Sequence, residues 1–191
     1  MIGSAVQSAA IASAYASAPE FPAWLPRAEK NADLWAAMWR RACVAQKFVD
    51  RVAALGGTWH LLVLSADWCG DAVNTLPVIA KLAELVPNLD LRVLERDEHP
   101  DLMNAHLTGK SHSIPIVMVL DDAFTEYGCW GPRPRALQEW VLTAGKHLDK
   151  TERYKEVRTW YARNKGVTTL EDVVGLLERA SARRQDDRTT G

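Results

Sequence analysis

The sequence predicts an α/β domain with a central mixed sheet flanked by helices, and three observations carry that prediction. An almost wholly apolar run, 59–64, gives way after Ser65-Ala66-Asp67-Trp68-Cys69-Gly70 to apolar residues at Ala72, Leu76, Ile79, Leu82 and Leu85, the spacing of one helix face. A second strand, Leu89–Glu95, follows that helix. Later, the fully apolar run 116–120 meets the tight turn Asp121-Asp122 and a partner strand over 124–130. Strands separated by helices and then a closing hairpin make a mixed sheet covered on both faces.

Taken in order, residues 1–30 read as a low-charge N-terminal tail, broken by Pro19, Pro22 and Pro26, whose last third packs on the domain. The Ala/Ser-rich start has no Lys or Arg before its Ala-x-Ala run and no continuous apolar stretch, so it does not read as a secretory signal. Asn31 or Asp33 offers an N-cap for an added N-terminal helix. Its stripe is Leu34, Met38, Ala42, Ala45, Val49, Val52 and Leu55, and Gly56-Gly57 ends it. Trp35 and Trp39 lie on its flank and are expected to cover the sheet.

After the strand 59–65 and the Cys69 helix, Pro100 opens a short helix over 101–107. Leu137, Val141, Ala144 and Leu148 keep helical spacing, as expected of a closing helix. The domain therefore spans 31–149, and a helical C-terminal extension occupies 150–182. It holds Tyr154, Val157, Trp160 and Tyr161 in one helix, and a capping box, Thr168-Thr169-Leu170-Glu171, opens a last one. Residues 183–191 are polar and expected to be disordered.

Composition narrows the function. A formal net charge of -1 over 191 residues leaves no electrostatic footprint for nucleic acid or an anionic membrane. Three widely spaced cysteines, Cys43, Cys69 and Cys129, form neither a zinc motif nor a disulfide framework and suit a reducing cytoplasm. There is no Gly-rich phosphate loop and no His-Glu-x-x-His run. Cys43 is expected in the core, and His99, His106 and His112 as solvated side chains.

Cys69 is the candidate nucleophile, because it sits where a buried strand turns into a helix. There the first free N–H groups and the helix dipole favour a thiolate. Asp71 opposes them if its carboxylate lies near the sulfur, and the two effects are expected nearly to cancel. Asp71 has two readings, a proton acceptor or relay for Cys69 and a cap for first-turn N–H groups, with the cap favoured. Arg96, His112, Arg133 and Arg135 are the cations expected to decide the balance.

The stretch Trp68-Cys69-Gly70 at a strand-to-helix turn, Pro77 inside the following helix and Ile114-Pro115 opening a later strand resemble the thioredoxin superfamily. The resemblance covers about residues 58–131. Trp68 to Asp71, Arg96-Asp97, Ser113-Ile114-Pro115 and Trp130-Gly131-Pro132-Arg133-Pro134 are more narrowly similar to a bacterial thioredoxin-like branch with a single-cysteine Trp-Cys-Gly-Asp motif. The resemblance implies a thioredoxin-like fold, a cis Pro115, and a groove in which Trp68, Ile114, Pro115 and Trp130 bind substrate. Cys129 is the candidate resolving thiol if the sulfurs approach, and otherwise a buried, inert one.

Two departures matter. The second active-site thiol is replaced by Ala72, one helical turn after Cys69, and the buried aspartate by Val63. The expected function is monothiol thiol–disulfide exchange through Cys69 with a protein disulfide or small thiol. An external thiol such as glutathione would resolve the mixed disulfide, with no other cofactor and no metal. The alternative is a redox-inert module that binds a peptide or protein strand in the same groove. A third reading, a monothiol iron–sulfur carrier similar to some glutaredoxins, has little support in Gly70-Asp71-Ala72. Trp35, Trp39 and Trp160 could supply a homodimer surface.

Overall fold

Strand β1, Trp59–Ser65, lies inside a four-stranded sheet of order β2-β1-β3-β4, with β2 at Leu89–Glu95, β3 at Ile116–Asp121 and β4 at Glu126–Trp130. The computed structural model describes residues 2–190, with side chains described over 6–189. β1 runs parallel to β2, from Trp59 opposite Leu89 to Ser65 opposite Glu95, and antiparallel to β3, from Trp59 opposite Asp121 to Leu64 opposite Ile116. Leu61 to Leu64 and Val117 to Leu120 are fully buried. A central strand is covered on both faces, and that is why these runs lack the alternation of a half-exposed strand.

Helix α5, Gly70–Leu85, follows β1 as its spacing predicts, and packs against β2. Helix α9, Val167–Thr190, lies beside it and packs on β3 and β4, burying Leu170, Val173, Val174 and Leu177. The closing role expected near Leu137 to Leu148 therefore belongs to α9. Helix α7, Arg135–Leu142, stops short, and Leu137 joins Val157 and Tyr161 in a small separate cluster.

The expected tail 1–30 is instead mostly helical. Helix α1, Ile2–Ser17, draws on the strong helix propensity of its alanines and buries Ile11 and Tyr15. Its last carbonyls, on Tyr15 and Ala16, accept hydrogen bonds at 3.3 Å from the Arg92 guanidinium, a cation well placed at a helix C-terminus. Tyr15 also donates to Asp90. Pro19 accepts from the Val93 N–H, so this segment covers the free edge of β2, and helix α2, Phe21–Trp24, continues it.

The single helix expected over residues 31–55 is two. Helix α3, Ala32–Arg41, and helix α4, Gln46–Ala53, are separated by extended backbone at Ala42 and Ala45. They have different anchors: α3 packs on α5, whereas Arg51 of α4 pairs with Glu171 and Glu178 of α9 at 2.8 Å. One straight helix could not serve both. Asn31 holds the N-cap position of α3 as expected but makes no side-chain cap: its backbone is left-handed and its side chain turns to the Asp67 carbonyl. Trp35 and Trp39 cover the domain itself, with Trp35 edge-on to Trp24 at 4.9 Å.

At the C-terminal side, helix α8, Lys150–Asn164, is capped by Asp149, which accepts from Thr151 and Glu152. Left-handed Lys165 and Gly166 reverse the chain into α9. The Asn164 side chain accepts from the Thr168 N–H at 3.0 Å, so the cap of α9 lies one turn ahead of the predicted box. The predicted disordered tail 183–191 is helical through Thr190. Arg184 stacks over the Trp59 ring at 4.3 Å and donates to the Gly56 carbonyl, which holds the polar end of α9 in place. His106, expected to be solvated, is buried in the loop after helix α6, Pro100–Ala105, and bonded to Glu126 at 3.0 Å. That carboxylate holds the imidazole pKa above its usual value.

Candidate functional site

Cys69 is the N-cap residue of α5, with an extended backbone, and its sulfur accepts the Ala72 N–H at 3.4 Å. The cap is thus the cysteine and not Asp71. The thiol donates at 3.3 Å to the carbonyl of Ile114, which precedes Pro115 across a cis peptide. The Gly131–Pro132 peptide is also cis. Val63 is buried in β1, between Val93 and Val117.

Gly131 brings the end of β4 against this loop. Its φ is +132°, and a Cβ there would overlap the Pro115 carbonyl oxygen. The close approach delivers Arg133 to Asp71, with Nη2 to Oδ2 at 2.6 Å, while the Tyr161 hydroxyl of α8 donates to Oδ1 at 2.9 Å. Asp71 is thereby held by two distant parts of the chain and has both oxygens engaged. Burial pushes its carboxyl pKa up, against the Arg133 and Tyr161 contacts that pull it down. The Tyr161 phenol is raised by burial and by the same carboxylate.

Cys69 is only 6% exposed. Burial pushes its thiol pKa up and Asp71 adds to the rise, while the Ala72 and Asp71 N–H groups and Arg133 pull the other way. The expected cancellation therefore does not occur: desolvation, invisible in the sequence, outweighs the helix terminus. The S–H···O bond to Ile114 works in the same direction, because it is lost on deprotonation.

The other predicted residues divide. Trp68 is 43% exposed, with the Arg96 guanidinium over its ring at 4.9 Å. Trp130 is turned away from such a surface, buried, with its indole N–H directed to Asp172 at 3.4 Å. Among the predicted cations, Arg133 reaches the pair beside the thiol. Arg96 binds Asp97 and the His112 carbonyl, His112 meets Asn104, and the Arg135 backbone N–H donates to Asp172. Cys129, expected to be buried if not resolving, is exposed and lines a depression with Arg135, Asp172 and Arg179 that Cys69 does not share. Cys43, expected in the core, is exposed as well. All three thiols are free.

Sequence reasoning missed Tyr161 and Asp67. Asp67 accepts the Glu29 and Lys30 N–H groups at 2.9 and 2.7 Å, and its carbonyl accepts the Trp35 indole N–H at 2.8 Å, tying the loop before Cys69 to the N-terminal segment. An Asp one residue before a Trp-Cys turn was the available signal; Tyr161 offered none beyond helical spacing. Asp67→Ala is expected to cost about 1 to 2 kcal/mol, the loss of two charge-assisted bonds. Amide exchange at Glu29 and Lys30 that accelerates more than exchange at Ala80 in the buried middle of α5 is the local signature.

A family model described as Thioredoxin matches residues 18–174. A crystal structure of a protein of unknown function from Pseudomonas aeruginosa superposes with a TM-score of 0.69 at 21% identity, covering 87% of this chain and 95% of that one. A crystal structure of an HIV epitope-scaffold superposes with a TM-score of 0.70 at 19% identity, covering 87% and 96%. Both likenesses concern the fold alone. No curated protein matches. With a family match over most of its length and the four-stranded mixed sheet flanked by helices, the chain belongs to the thioredoxin family.

Proposed function

We propose that the protein carries out monothiol thiol–disulfide exchange through Cys69. The observation that carries this reading is the sulfur's position, capping α5 and bonded to the Ile114 carbonyl beside Pro115. The Cys69 thiolate attacks one sulfur of a protein or low-molecular-weight disulfide, forms a mixed disulfide and releases the other sulfur as a thiolate. With Ala72 in place of a second thiol, an external thiolate such as that of glutathione attacks the substrate-side sulfur of the mixed disulfide, departs with it as a new disulfide and releases the Cys69 thiolate. A reducing compartment such as the cytoplasm supplies that thiol. No helix among the described residues is long and apolar enough to cross a membrane.

Substrate has to displace the Ile114 carbonyl from the S–H, with Ile114 and Pro115 offering backbone for pairing and Trp68 an exposed apolar face. Asp71 acts as a brake on thiolate formation in this reading and not as a base, since both its oxygens are engaged.

The test is glutathione-dependent reduction of a small disulfide by the Cys43→Ser/Cys129→Ser variant, with and without Cys69→Ser. Turnover should depend on Cys69, and its rate should climb with pH beyond the free-thiol range, near 8.5, because the thiol pKa is raised. Turnover unaffected by Cys69→Ser would end the proposal.

Burial of the thiol favours a second reading, a redox-inert module that holds a peptide strand against Ile114 and Pro115. Binding of an extended peptide that survives Cys69→Ser, without turnover at any pH, would establish it instead.

A further inference from the structure

Between α3, the middle of α5 and α8 lies a cavity of about 440 Å³, within the size range of small-molecule sites. The Cys69 sulfur does not line it, but Tyr161, whose hydroxyl donates to Asp71, does. Buried Pro77 and Val78 and half-buried Met38 supply an apolar surface, and among the described residues no carboxylate lines it.

Three cations, Arg41, Arg158 and Lys165, line the same cavity and are exposed. Among the described residues, their side chains have no ion-pair partner. Other arginines do pair, Arg51 with Glu171 and Glu178, Arg133 with Asp71, Arg184 with Asp122; what sets Arg41, Arg158 and Lys165 apart is that the three share one cavity with an apolar wall. Three unmatched like charges around one apolar cavity repel one another, in a protein whose formal net charge is only -1. An anion bound between them removes that repulsion.

We propose that this cavity binds an amphiphilic anion, with a carboxylate or phosphate head between the cations and an apolar body against Met38, Pro77 and Val78. The guanidinium fork suits either head group in a bidentate pair, and the unbranched Met38 side chain adapts to the body. A bare inorganic anion would leave the apolar wall wet, and a neutral amphiphile would leave the cations unmatched.

Cys43 is exposed, lines the cavity and serves as a reporter. The experiment follows iodoacetamide labelling of Cys43 in the full chain by peptide mass spectrometry, with Cys129 as reference. The probes are decanoate and decyl phosphate below their micelle concentrations, against decanol and inorganic phosphate. Saturable protection of Cys43 by fivefold or more is expected from decanoate, from decyl phosphate or from both, with Cys129 unchanged; the arm that protects identifies the head group. Arg41→Gln/Arg158→Gln, at exposed unpartnered positions, should keep the wild-type melting temperature and weaken binding about tenfold or more. In the wild type, affinity should fall between 50 and 500 mM salt. Equal protection by decanol or by phosphate alone, no protection by any probe, or affinity indifferent to both the double substitution and salt would overturn the proposal.

Discussion

Gly131→Ala is expected to lose more than about 3 kcal/mol of stability, the largest effect of any single methyl group at this site. The backbone at Gly131 has φ +132°, a region L side chains rarely adopt, and the added carbon would meet backbone, the Pro115 carbonyl oxygen and the Ile116 Cα. No flexible side chain stands there to move aside. Relief requires β4 and the Pro115 loop to separate, which also withdraws Arg133 from Asp71. Chemical denaturation of the variant measures the loss. Gly56→Ala, with nothing within 4 Å and no positive φ, should stay within about 1 kcal/mol of wild type. A Gly131→Ala protein as stable as Gly56→Ala would refute the close approach.

Asp71→Asn and Arg133→Gln are expected to move Cys69 in opposite directions. The Asp71 carboxylate raises the thiol pKa and the Arg133 guanidinium lowers it. Neutralising Asp71 leaves the guanidinium unopposed beside the sulfur. Labelling of Cys69 by iodoacetamide at pH 7.5 should then accelerate on the order of tenfold. Arg133→Gln leaves the carboxylate unpaired and should slow labelling by a similar factor. It should also lower the melting temperature, since a mostly buried charge loses its partner. Two substitutions that merely loosened the site would both expose the thiol and both accelerate labelling, so the opposite signs separate electrostatics from structure.

The sheet was legible in the sequence for a physical reason. Buried central strands demand long apolar runs, and residues 59–64 and 116–120 are two such runs. The position of Cys69 at the start of α5 followed from the change of hydrophobic period on either side of it. Local signals failed where tertiary anchors decide. The break at Ala42 to Ala45 depends on Arg51 finding α9, the order of α1 on Arg92 at its C-terminal end, and the helix at 183–190 on Arg184 meeting Trp59. No window of sequence contains both partners of any of these contacts.

The same limit applied at the site. Asp71 beside Cys69 was visible, but its engagement by Arg133 and Tyr161, the latter 90 residues away, was not. The charge balance judged from Asp71 and the helix terminus alone therefore left out the largest influence, the burial of the sulfur.

The most direct test of the account is mixed-disulfide formation with glutathione disulfide in the Cys43→Ser/Cys129→Ser protein, followed by intact mass from pH 6 to 10. One glutathione adduct on Cys69 is expected, formed slowly at neutral pH and faster as the pH rises through and beyond the free-thiol range, and released by added glutathione. No adduct on the folded protein at any pH, or a rate already maximal at pH 6, would contradict it.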